Sequence, residues 1–288
     1  MCIRDSFCPC CCIHGILPLH AKPAVDSLDL RIETGEFFGL LGPNGAGKTT
    51  TISLLSTLLL PTEGEILIDG QTLGRNRPDL KRKISVITQE YSMRQDMNMD
   101  EIMEYQGRLY FMPRKEIKRK TEELLDFCGL LPFRKRTVRK LSGGMKRKLM
   151  VCRALLTSPE ILLLDEPTAG MDALSRRQMW NLLRQLNGKN LTILLTTHYM
   201  EEAQSLCNRV ALMDHGKLEE INTPSGLIDG LGKYTVDQET PEGAKSHYFH
   251  SREEAISFLS SLDGQCTLRE TTLEDVFVER AGRHLMQR

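Results

Sequence analysis

The segment at residues 42–50, with the sequence GPNGAGKTT, constrains the fold of this chain more than any other. It fits the pattern G-x-x-x-x-G-K-[ST], in which glycines let the backbone curl so that its N–H groups converge on phosphate oxygens. The apolar run Phe37–Leu41 predicts a buried strand before the segment, and the apolar spacing in residues 49–60 predicts a helix after it. A strand, a glycine loop and a helix in this order predict a site for a nucleoside triphosphate.

Every residue of this phosphate loop is a candidate for ATP binding. The nine candidates are Gly42, Pro43, Asn44, Gly45, Ala46, Gly47, Lys48, Thr49 and Thr50. Lys48 places a cation near the β- and γ-phosphates, and the Thr49 hydroxyl can coordinate Mg²⁺. The start of the following helix adds free N–H groups and a partial positive charge. The loop therefore predicts ATP and Mg²⁺ as ligands.

Charge and hydropathy argue against two other classes of protein. The 288 residues include 38 Lys and Arg and 38 Asp and Glu, so the formal net charge is zero. This balance argues against a general nucleic-acid binder, and we expect no nucleic-acid partner. No apolar run approaches the roughly 18–20 residues that span a bilayer. Any action at a membrane would therefore require a separate membrane partner.

Strands and helices alternate after position 25, which predicts an α/β fold with a sheet of mostly parallel strands. Between positions 89 and 141 the pattern favours helices and contains no convincing strand. This indicates a helical subdomain inserted between elements of the sheet. After Pro224 the pattern weakens, and a small appended α/β segment is expected, with its helix at residues 251–262.

Two acidic residues follow a second buried strand. Residues 161–164 are all apolar, as in a strand buried on both faces, and Asp165 and Glu166 come directly after them. Because ligands bind at the carboxyl ends of strands in open α/β sheets, we expect Asp165 beside the phosphate loop, where it would hold Mg²⁺. Glu166 can orient or deprotonate the attacking water.

Polar side chains also follow two other predicted strands. His198 comes after the apolar residues 191–195 and can contact the γ-phosphate or the attacking water. Gln89 comes after residues 84–88 and can reach Mg²⁺ or the same water. A lone histidine or glutamine at such a position is more often structural, so both assignments depend on the rest of the site.

The pentapeptide LSGGM at residues 141–145 predicts a second anion-binding helix start. Ser142 is a favourable N-cap residue, and Gly143 and Gly144 would occupy the first turn. Two glycines there weaken a helix, but they let a ligand approach the bare backbone N–H groups. A simple helix cap is the alternative interpretation.

Seven basic residues surround this glycine pair between positions 135 and 148. They are Lys135, Arg136, Arg139, Lys140, Lys146, Arg147 and Lys148. The expected role of such a stretch is a solvated helix face. The alternative is that some of these charges attract an opposing ATP.

Taken together, these elements resemble the nucleotide-binding subunits of ATP-binding-cassette (ABC) transporters. The family's elements occur here in the family's order, as the phosphate loop, Gln89, 141–145, 162–166, 169–172 and His198. The resemblance covers about residues 21–225. It implies a P-loop NTPase cassette with a mostly parallel core sheet, an antiparallel β lobe and an inserted helical subdomain at about residues 90–150. We predict an ATPase domain at residues 21–225 and a small C-terminal α/β extension at residues 226–288.

The resemblance also implies how the site works. Two copies, or one copy and a similar subunit, would form a head-to-tail dimer. Ser142, Gly143 and Gly144 of one copy would then cap the γ-phosphate held by Lys48 of the other, and Asp172 would link the two sites. The implied protein is a Mg²⁺-dependent ATP hydrolase that lies in the cytoplasm at the inner face of the membrane and drives a separate transmembrane permease. Its catalytic residues would be Glu166 and His198.

The sequence TTLEDVF at residues 271–277 narrows this resemblance. It is similar to the ending of exporter ATPases for drugs, sodium ions or polysaccharides. We therefore expect an exporter subunit. An importer ATPase and a soluble ABC protein without a transport role remain the alternatives.

The first 20 residues depart from the family pattern. The family usually places an aromatic residue shortly before residue 24 to stack on adenine, but residues 16–20 contain no Tyr, Phe or Trp. Five of the nine cysteines lie in the first 12 residues, and Cys8-x-x-Cys11 lacks a second pair at the spacing of a zinc site. We expect residues 1–20 not to belong to the native fold.

Overall fold

The computed structural model describes residues 2–9, 23–90, 93–240, 243–262 and 264–286. The strands are β1 (Cys2–Pro9), β2 (Pro23–Arg31), β3 (Phe37–Leu41), β4 (Glu63–Ile68), β5 (Gln71–Thr72), β6 (Ile84–Ile87), β7 (Ile161–Asp165), β8 (Thr192–Thr197), β9 (Arg209–Asp214), β10 (Lys217–Asn222), β11 (Tyr234–Thr240), β12 (Gly243–Phe249) and β13 (Cys266–Glu270). The helices are α1 (Lys48–Leu55), α2 (Pro78–Arg82), α3 (Met99–Leu109), α4 (Arg114–Phe127), α5 (Gly143–Leu155), α6 (Ala173–Asn187), α7 (Met200–Leu206), α8 (Pro224–Leu231), α9 (Arg252–Ser260) and α10 (Leu273–Met286).

The chain divides into two units. The first comprises Met1–His198 and Ala211–Glu220, and the second comprises Tyr199–Val210 and Ile221–Arg288. Among the residues that the structure describes, no helix is both long and apolar enough to cross a membrane.

A six-stranded sheet, in the order β10-β9-β3-β8-β7-β6, carries the core. Strands β3, β8, β7 and β6 pair in parallel, as predicted. Every residue of β3, β7 and β8 is buried, which is the burial expected for parallel strands covered on both faces. Because neighbouring parallel strands end at the same edge, this sheet brings Leu41, Asp165 and Thr197 to one side of the fold.

An antiparallel sheet in the order β2-β1-β4-β5 forms the β lobe. Strand β1 pairs with both β2 and β4. The cysteines at positions 10–12 and the adenine-side residues 16–20 lie outside the described residues, so the expectations about them stay predictions. Within the first 20 residues, Cys2–Pro9 forms β1. That residues 1–20 do not belong to the native fold stays a prediction.

Helices α3, α4 and α5 pack against one another and form the predicted helical subdomain. A capping box starts α3, in which the Glu101 N–H donates to Asn98 Oδ1 at 3.1 Å and the Asn98 N–H donates to Glu101 Oε2 at 2.8 Å. Each of the three helices buries apolar side chains, among them Met103, Leu125 and Met150.

Helix α1 is shorter than predicted. The apolar spacing continues to residue 60, but the helix ends at Leu55 with Ser56 as its C-cap. Thr57 has a φ of 61°, a left-handed conformation that interrupts a helix. Leu58 belongs to the apolar spacing that predicted the longer helix, but it lies beyond the end of α1 and is 70% exposed.

The second unit contains a three-stranded antiparallel sheet in the order β12-β11-β13. Helix α9 packs on it, and the N-cap of α9 is Ser251, close to the predicted start of a helix at that position. Arg269 forms ion pairs with Asp237 and Asp275 at 2.6 Å and 2.7 Å. An α/β arrangement after Pro224 agrees with the sequence prediction.

Candidate functional site

The phosphate loop connects the end of β3 to the start of α1. Gly47 has a φ of 105° and is the N-cap of α1. A Cβ at this position would lie 2.6 Å from the Ala24 carbonyl oxygen, so both the backbone conformation and the close approach require glycine. The Gly216 N–H donates to the Ala46 carbonyl at 2.9 Å and holds the loop against the turn after β9.

Lys48 lies beneath this loop and is only 6% exposed. Its ammonium group donates to the carbonyl oxygens of Gly42 at 2.8 Å and Pro43 at 3.0 Å. Burial lowers the pKa of Lys48, and the negative charges of Glu166 and Asp165 oppose that change. Since an ammonium group has three N–H donors, this arrangement leaves a donor that can reach an anion on the loop.

Asp165 ends β7 and is 5% exposed. Its Oδ1 accepts a hydrogen bond from Thr196 Oγ1 at 2.5 Å, because the parallel register places Thr196 of β8 beside it. Thr49 Oγ1 on α1 lies 3.4 Å from the same oxygen. Carboxylate and hydroxyl oxygens are ligands that Mg²⁺ prefers. The paired side chains of Thr49 and Asp165 therefore fit a magnesium ion.

Glu166 follows Asp165 and turns toward the same edge. Its φ of 48° is left-handed, and its N–H donates to the Thr196 carbonyl at 3.0 Å. Glu166 Oε1 lies 3.1 Å from Nδ1 of His198. The glutamate side chain is 13% exposed and the histidine side chain 42% exposed, so the pair lies at the border of solvent.

One cleft of about 630 Å³ joins Lys48, Thr49, Glu166 and His198, and Asp165 is not among its lining residues but contacts Thr49. Its lining residues are Ala24, Asn44, Gly45, Gly47, Lys48, Thr49, Thr50, Gln89, Glu166, Ala169 and His198. The structure thus brings together most of the loop and the residues predicted from three separate strand ends. Gly42 and Pro43 contribute through the carbonyl groups that Lys48 contacts. Sequence reasoning missed Ala24 and Ala169 as cleft residues, and neither carries a chemical signal that would have indicated it.

The predicted second anion site lies elsewhere in the same chain. Ser142 caps α5, since its Oγ accepts from the Met145 N–H at 3.3 Å. Ser142 and Gly143 are exposed, and a Cβ on Gly144 would lie 3.2 Å from Ser175 Oγ. These three predicted residues are absent from the lining of the Lys48 cleft.

Asp172, the predicted link between two sites, caps α6. Its carboxylate accepts from the Ser175 N–H at 2.9 Å and from Ser175 Oγ at 2.7 Å. The backbone hydrogen bond from Ser175, helped by the hydroxyl, lowers the pKa of Asp172. Asp172 is also absent from the lining of the Lys48 cleft.

The expectation of a solvated basic face is wrong for Arg147, which is 1% exposed. Its Nη1 donates to the Thr88 carbonyl at 2.8 Å and its Nη2 donates to the Glu166 carbonyl at 3.1 Å. The apolar neighbours Leu149, Met150 and Val151 are also buried, so this side of α5 faces the interior. A surrounding run of basic residues concealed this burial in the sequence.

Residues 25–169 match the sequence model of the ABC transporter family. The chain belongs to the ABC transporter family. It is an ATP-binding subunit of the ATP hydrolase class, as the sequence predicts. Solved structures confirm the predicted ABC cassette fold of this ABC protein. Its sequence relatives confirm the resemblance to exporter ATPases.

Two relatives carry export or resistance names. The linearmycin resistance ATP-binding protein LnrL of Bacillus subtilis (strain 168) is 37% identical over 222 residues, which cover 77% of this chain and 71% of that protein. The Nod factor export ATP-binding protein I of Cupriavidus metallidurans is 35% identical over 283 residues, which cover 91% of this chain and 93% of that protein.

A solved ABC cassette shares the fold. It is the ATP-binding cassette MJ0796, in a dimeric post-hydrolysis state bound to ADP and Pi. It aligns with a TM-score of 0.67 and 25% identity, covering 77% of this chain and 97% of that one.

Proposed function

We propose that this ABC ATPase powers an exporter by hydrolysing Mg-ATP in a head-to-tail dimer. The observation that carries the proposal is the contact between Glu166 and His198 at 3.1 Å, in the same cleft as Lys48. The names of the two relatives, one a resistance protein and one an export protein, support export rather than import.

The loop would bind the β- and γ-phosphates of ATP through its backbone N–H groups and the Lys48 ammonium. Thr49 and Asp165 would hold the magnesium ion, and Gln89, which lines the same cleft as Thr49, would complete its shell. When bound, Mg²⁺ neutralises charge on the phosphate oxygens. The hydrogen bond from Thr196 keeps the Asp165 carboxylate in the orientation that this role requires.

Glu166 would act on the water that attacks the γ-phosphorus. The carboxylate orients this water and accepts its proton, while the bond between the γ-phosphorus and the bridging oxygen breaks to release ADP and phosphate. His198 contacts the Glu166 carboxylate through Nδ1 and would contact the γ-phosphate through the other side of its ring. Positioning and charge stabilisation therefore supply most of the catalysis.

A second copy would complete each site. The exposed start of α5, with Ser142, Gly143 and Gly144, is suited to bind an anion but does not line the cleft of its own chain. In a head-to-tail dimer this helix start would face the γ-phosphate held by the other copy, and Asp172 would lie at the interface. The partner could be an identical chain or a similar subunit.

Transport would require a separate transmembrane permease. We place the ATPase in the cytoplasm, at the inner face of the membrane, where ATP is available and a permease can be contacted. If a membrane protein is encoded beside this chain, co-expression of the two, followed by ATP-dependent efflux from vesicles, tests the assignment. A periplasmic binding protein encoded there instead would support import.

The substitution Glu166→Gln tests the catalytic assignment. The variant should bind Mg-ATP with unchanged affinity, lose turnover by about 10²-fold or more, and accumulate as a dimer when ATP is present. Nucleotide binding, phosphate release and the mass of the protein in solution measure these three properties. Hydrolysis near the wild-type rate would remove Glu166 from its role, and a monomer at saturating Mg-ATP would contradict the dimer.

Glu160→Gln provides a matched control. Glu160 directly precedes β7, the strand that Glu166 directly follows. It is exposed and forms an ion pair with Lys83 at 3.0 Å. Exposed ion pairs contribute little. The control should therefore hydrolyse ATP as the wild type does.

A further inference from the structure

Arg147 is a buried cation that contacts the backbone of two segments, each of which carries a residue that lines the Lys48 cleft. It lies on α5, five positions after the N-cap Ser142, and is 1% exposed. Its Nη1 donates to the Thr88 carbonyl at 2.8 Å, and its Nη2 donates to the Glu166 carbonyl at 3.1 Å. One guanidinium group therefore connects α5 to the ends of two different strands of the core sheet.

Both carbonyl groups belong to segments that carry cleft residues. Thr88 directly precedes Gln89, and Glu166 is the proposed general base. Gln89 and Glu166 both line the cleft, whereas Arg147 does not. Arg147 can therefore fix the backbone position of Gln89 and Glu166 although it does not itself line the cleft.

The backbone of Glu166 needs such support. Its φ of 48° lies in the left-handed region, which is unfavourable for a residue with a side chain. Its carbonyl accepts from the Ala169 N–H at 3.2 Å as well as from Arg147. These hydrogen bonds keep the carbonyl direction fixed, and with it the direction of the carboxylate that faces His198.

An apolar side chain would fill this position at a lower cost in desolvation. A buried guanidinium group is costly unless its donors are satisfied, and replacing buried ionic groups by apolar ones is often neutral or stabilising. The planar fork of arginine can donate to two acceptors at fixed angles, which a lysine ammonium cannot reproduce. The chemistry of Arg147 thus matches a positioning role better than a packing role.

We propose that Arg147 is a positioning residue for hydrolysis, which holds Gln89 and Glu166 in register with the helix that begins at Ser142. This inference rests on the proposed function, because it assigns the proton transfer to Glu166. It predicts that loss of Arg147 affects turnover and leaves nucleotide binding intact, since Lys48 and the phosphate loop do not contact its guanidinium group.

The test compares Arg147→Met, Arg147→Lys and the control Lys148→Met. Methionine removes both donors and retains an unbranched buried side chain, and lysine can reach one carbonyl. Lys148 is the next cation on α5 and donates to Gln178 Oε1 at 3.2 Å, so its removal takes one positive charge from the same helix without touching the cleft.

For each purified full-length variant, the affinity for Mg-ATP, the number of nucleotides bound per chain and the turnover per bound nucleotide are measured. We expect Arg147→Met to lower kcat by about tenfold or more with an affinity within twofold of wild type, since small misplacements of catalytic groups have effects of this size. Arg147→Lys should be intermediate, and Lys148→Met should match the wild type.

Counting bound nucleotide separates misfolding from misplacement. A purely structural role would reduce the fraction of chains that bind nucleotide and leave kcat per bound nucleotide unchanged, which would overturn the inference. If Arg147→Met does not fold, Arg147→Lys decides the question by the same measure. If Glu166→Gln still turns over ATP, the proposed base is wrong; if Glu166→Gln is inactive while Arg147→Met has normal kcat, only the role of Arg147 fails.

Discussion

Glu166 Oε1 and His198 Nδ1 lie 3.1 Å apart, although 32 positions separate the two residues in the sequence. The contact results from the parallel pairing of β7 and β8, in which Asp165 is the register partner of Thr196. Each residue follows its strand by one position and therefore emerges at the same edge of the sheet. The sheet thus brings the side chains that follow two separate strands into contact.

We expect His198→Asn to lower kcat by about 10–10² and to change the affinity for Mg-ATP by less than threefold. The phosphate loop and Lys48 remain in place, so the ground-state contacts to nucleotide are retained. Losing the imidazole leaves the Glu166 carboxylate without the contact that fixes it. Steady-state hydrolysis and equilibrium binding measure the two effects separately.

His250→Asn serves as the control for this substitution. His250 is exposed and belongs to the second unit of the chain. Its replacement should leave both quantities unchanged. Equal losses of binding and turnover in His198→Asn would show that the histidine contributes to nucleotide binding instead of catalysis.

Thr196→Val should weaken the binding of magnesium at the site, so that hydrolysis requires more Mg²⁺. The hydroxyl of Thr196 donates to Asp165 Oδ1 at 2.5 Å and is fully buried, so valine leaves the carboxylate without this partner. Removing such a supporting hydrogen bond typically costs about 10–10² in metal affinity. The Mg²⁺ concentration for half-maximal hydrolysis, measured at saturating ATP, should rise by that amount.

Thr192→Val repeats the same chemical change at the other end of β8. Thr192 is also buried, and its Oγ1 accepts from the Gly35 N–H at 2.9 Å. Both variants should lose about 1–2 kcal/mol of stability, because Thr196→Val leaves the buried Asp165 carboxylate and Thr192→Val the partly buried Gly35 N–H without this hydrogen bond. Only Thr196→Val should alter the magnesium requirement, and an equal change in both variants would contradict the role of Thr196.

Mixing two inactive variants tests the composite site. Lys48→Ala removes the cation of the phosphate loop, and Gly143→Asp places a negative charge at the exposed start of α5, where anion binding is proposed. An acidic residue in a first helical turn is favourable for folding, so the second variant should remain folded. Each variant alone should be inactive.

In a head-to-tail dimer that contains one chain of each variant, one site has both intact halves and the other has two damaged halves. An equal mixture forms such dimers in about half of its molecules, so roughly a quarter of all sites would be intact. Activity should therefore reappear on mixing, as measured by phosphate release. Failure to restore activity, with both variants folded and able to exchange partners, would place both segments at the ATP of their own chain.

Arg269→Met should destabilise the second unit at neutral pH. Burial raises the pKa of Asp237 and Asp275, but the hydrogen bonds and charge of Arg269, together with hydrogen bonds from Ser246 and Thr272 respectively, outweigh it, so both pKa values lie below the ordinary 3.8. Since the ion pairs are partly exposed, we expect a loss of about 1–2 kcal/mol. Thermal unfolding or hydrogen exchange of the full chain measures it.

The pH dependence of this loss follows from the lowered pKa values. The stabilisation is present above pH 3.8 and disappears as the pH falls through the lower pKa values of the folded chain. The difference between wild type and Arg269→Met should therefore be largest near neutral pH and shrink below about pH 4. Arg252→Met, at the exposed first position of α9, is the control and should show neither effect.

Sequence patterns predicted best the elements whose burial is uniform. The buried strands β3, β7 and β8 lie within one or two residues of their predicted positions. In the second unit, β12 contains no fully buried residue and β13 has only partly buried and exposed ones, so neither shows the alternation that indicates a strand. Their pairing with β11 defines them as strands, and such pairing is a long-range property.

The sequence by itself determined the chemistry of the phosphate loop and the order of the family's elements, because these depend on local backbone preferences and on residue identity. It identified Glu166 and His198 as separate candidates. Only the tertiary structure decided that they touch, that Thr196 supports Asp165, and that Arg147 is buried behind the cleft. The physical reason is that these contacts depend on strand order and register and on which side of α5 faces the interior, and a local pattern of charges does not encode any of the three.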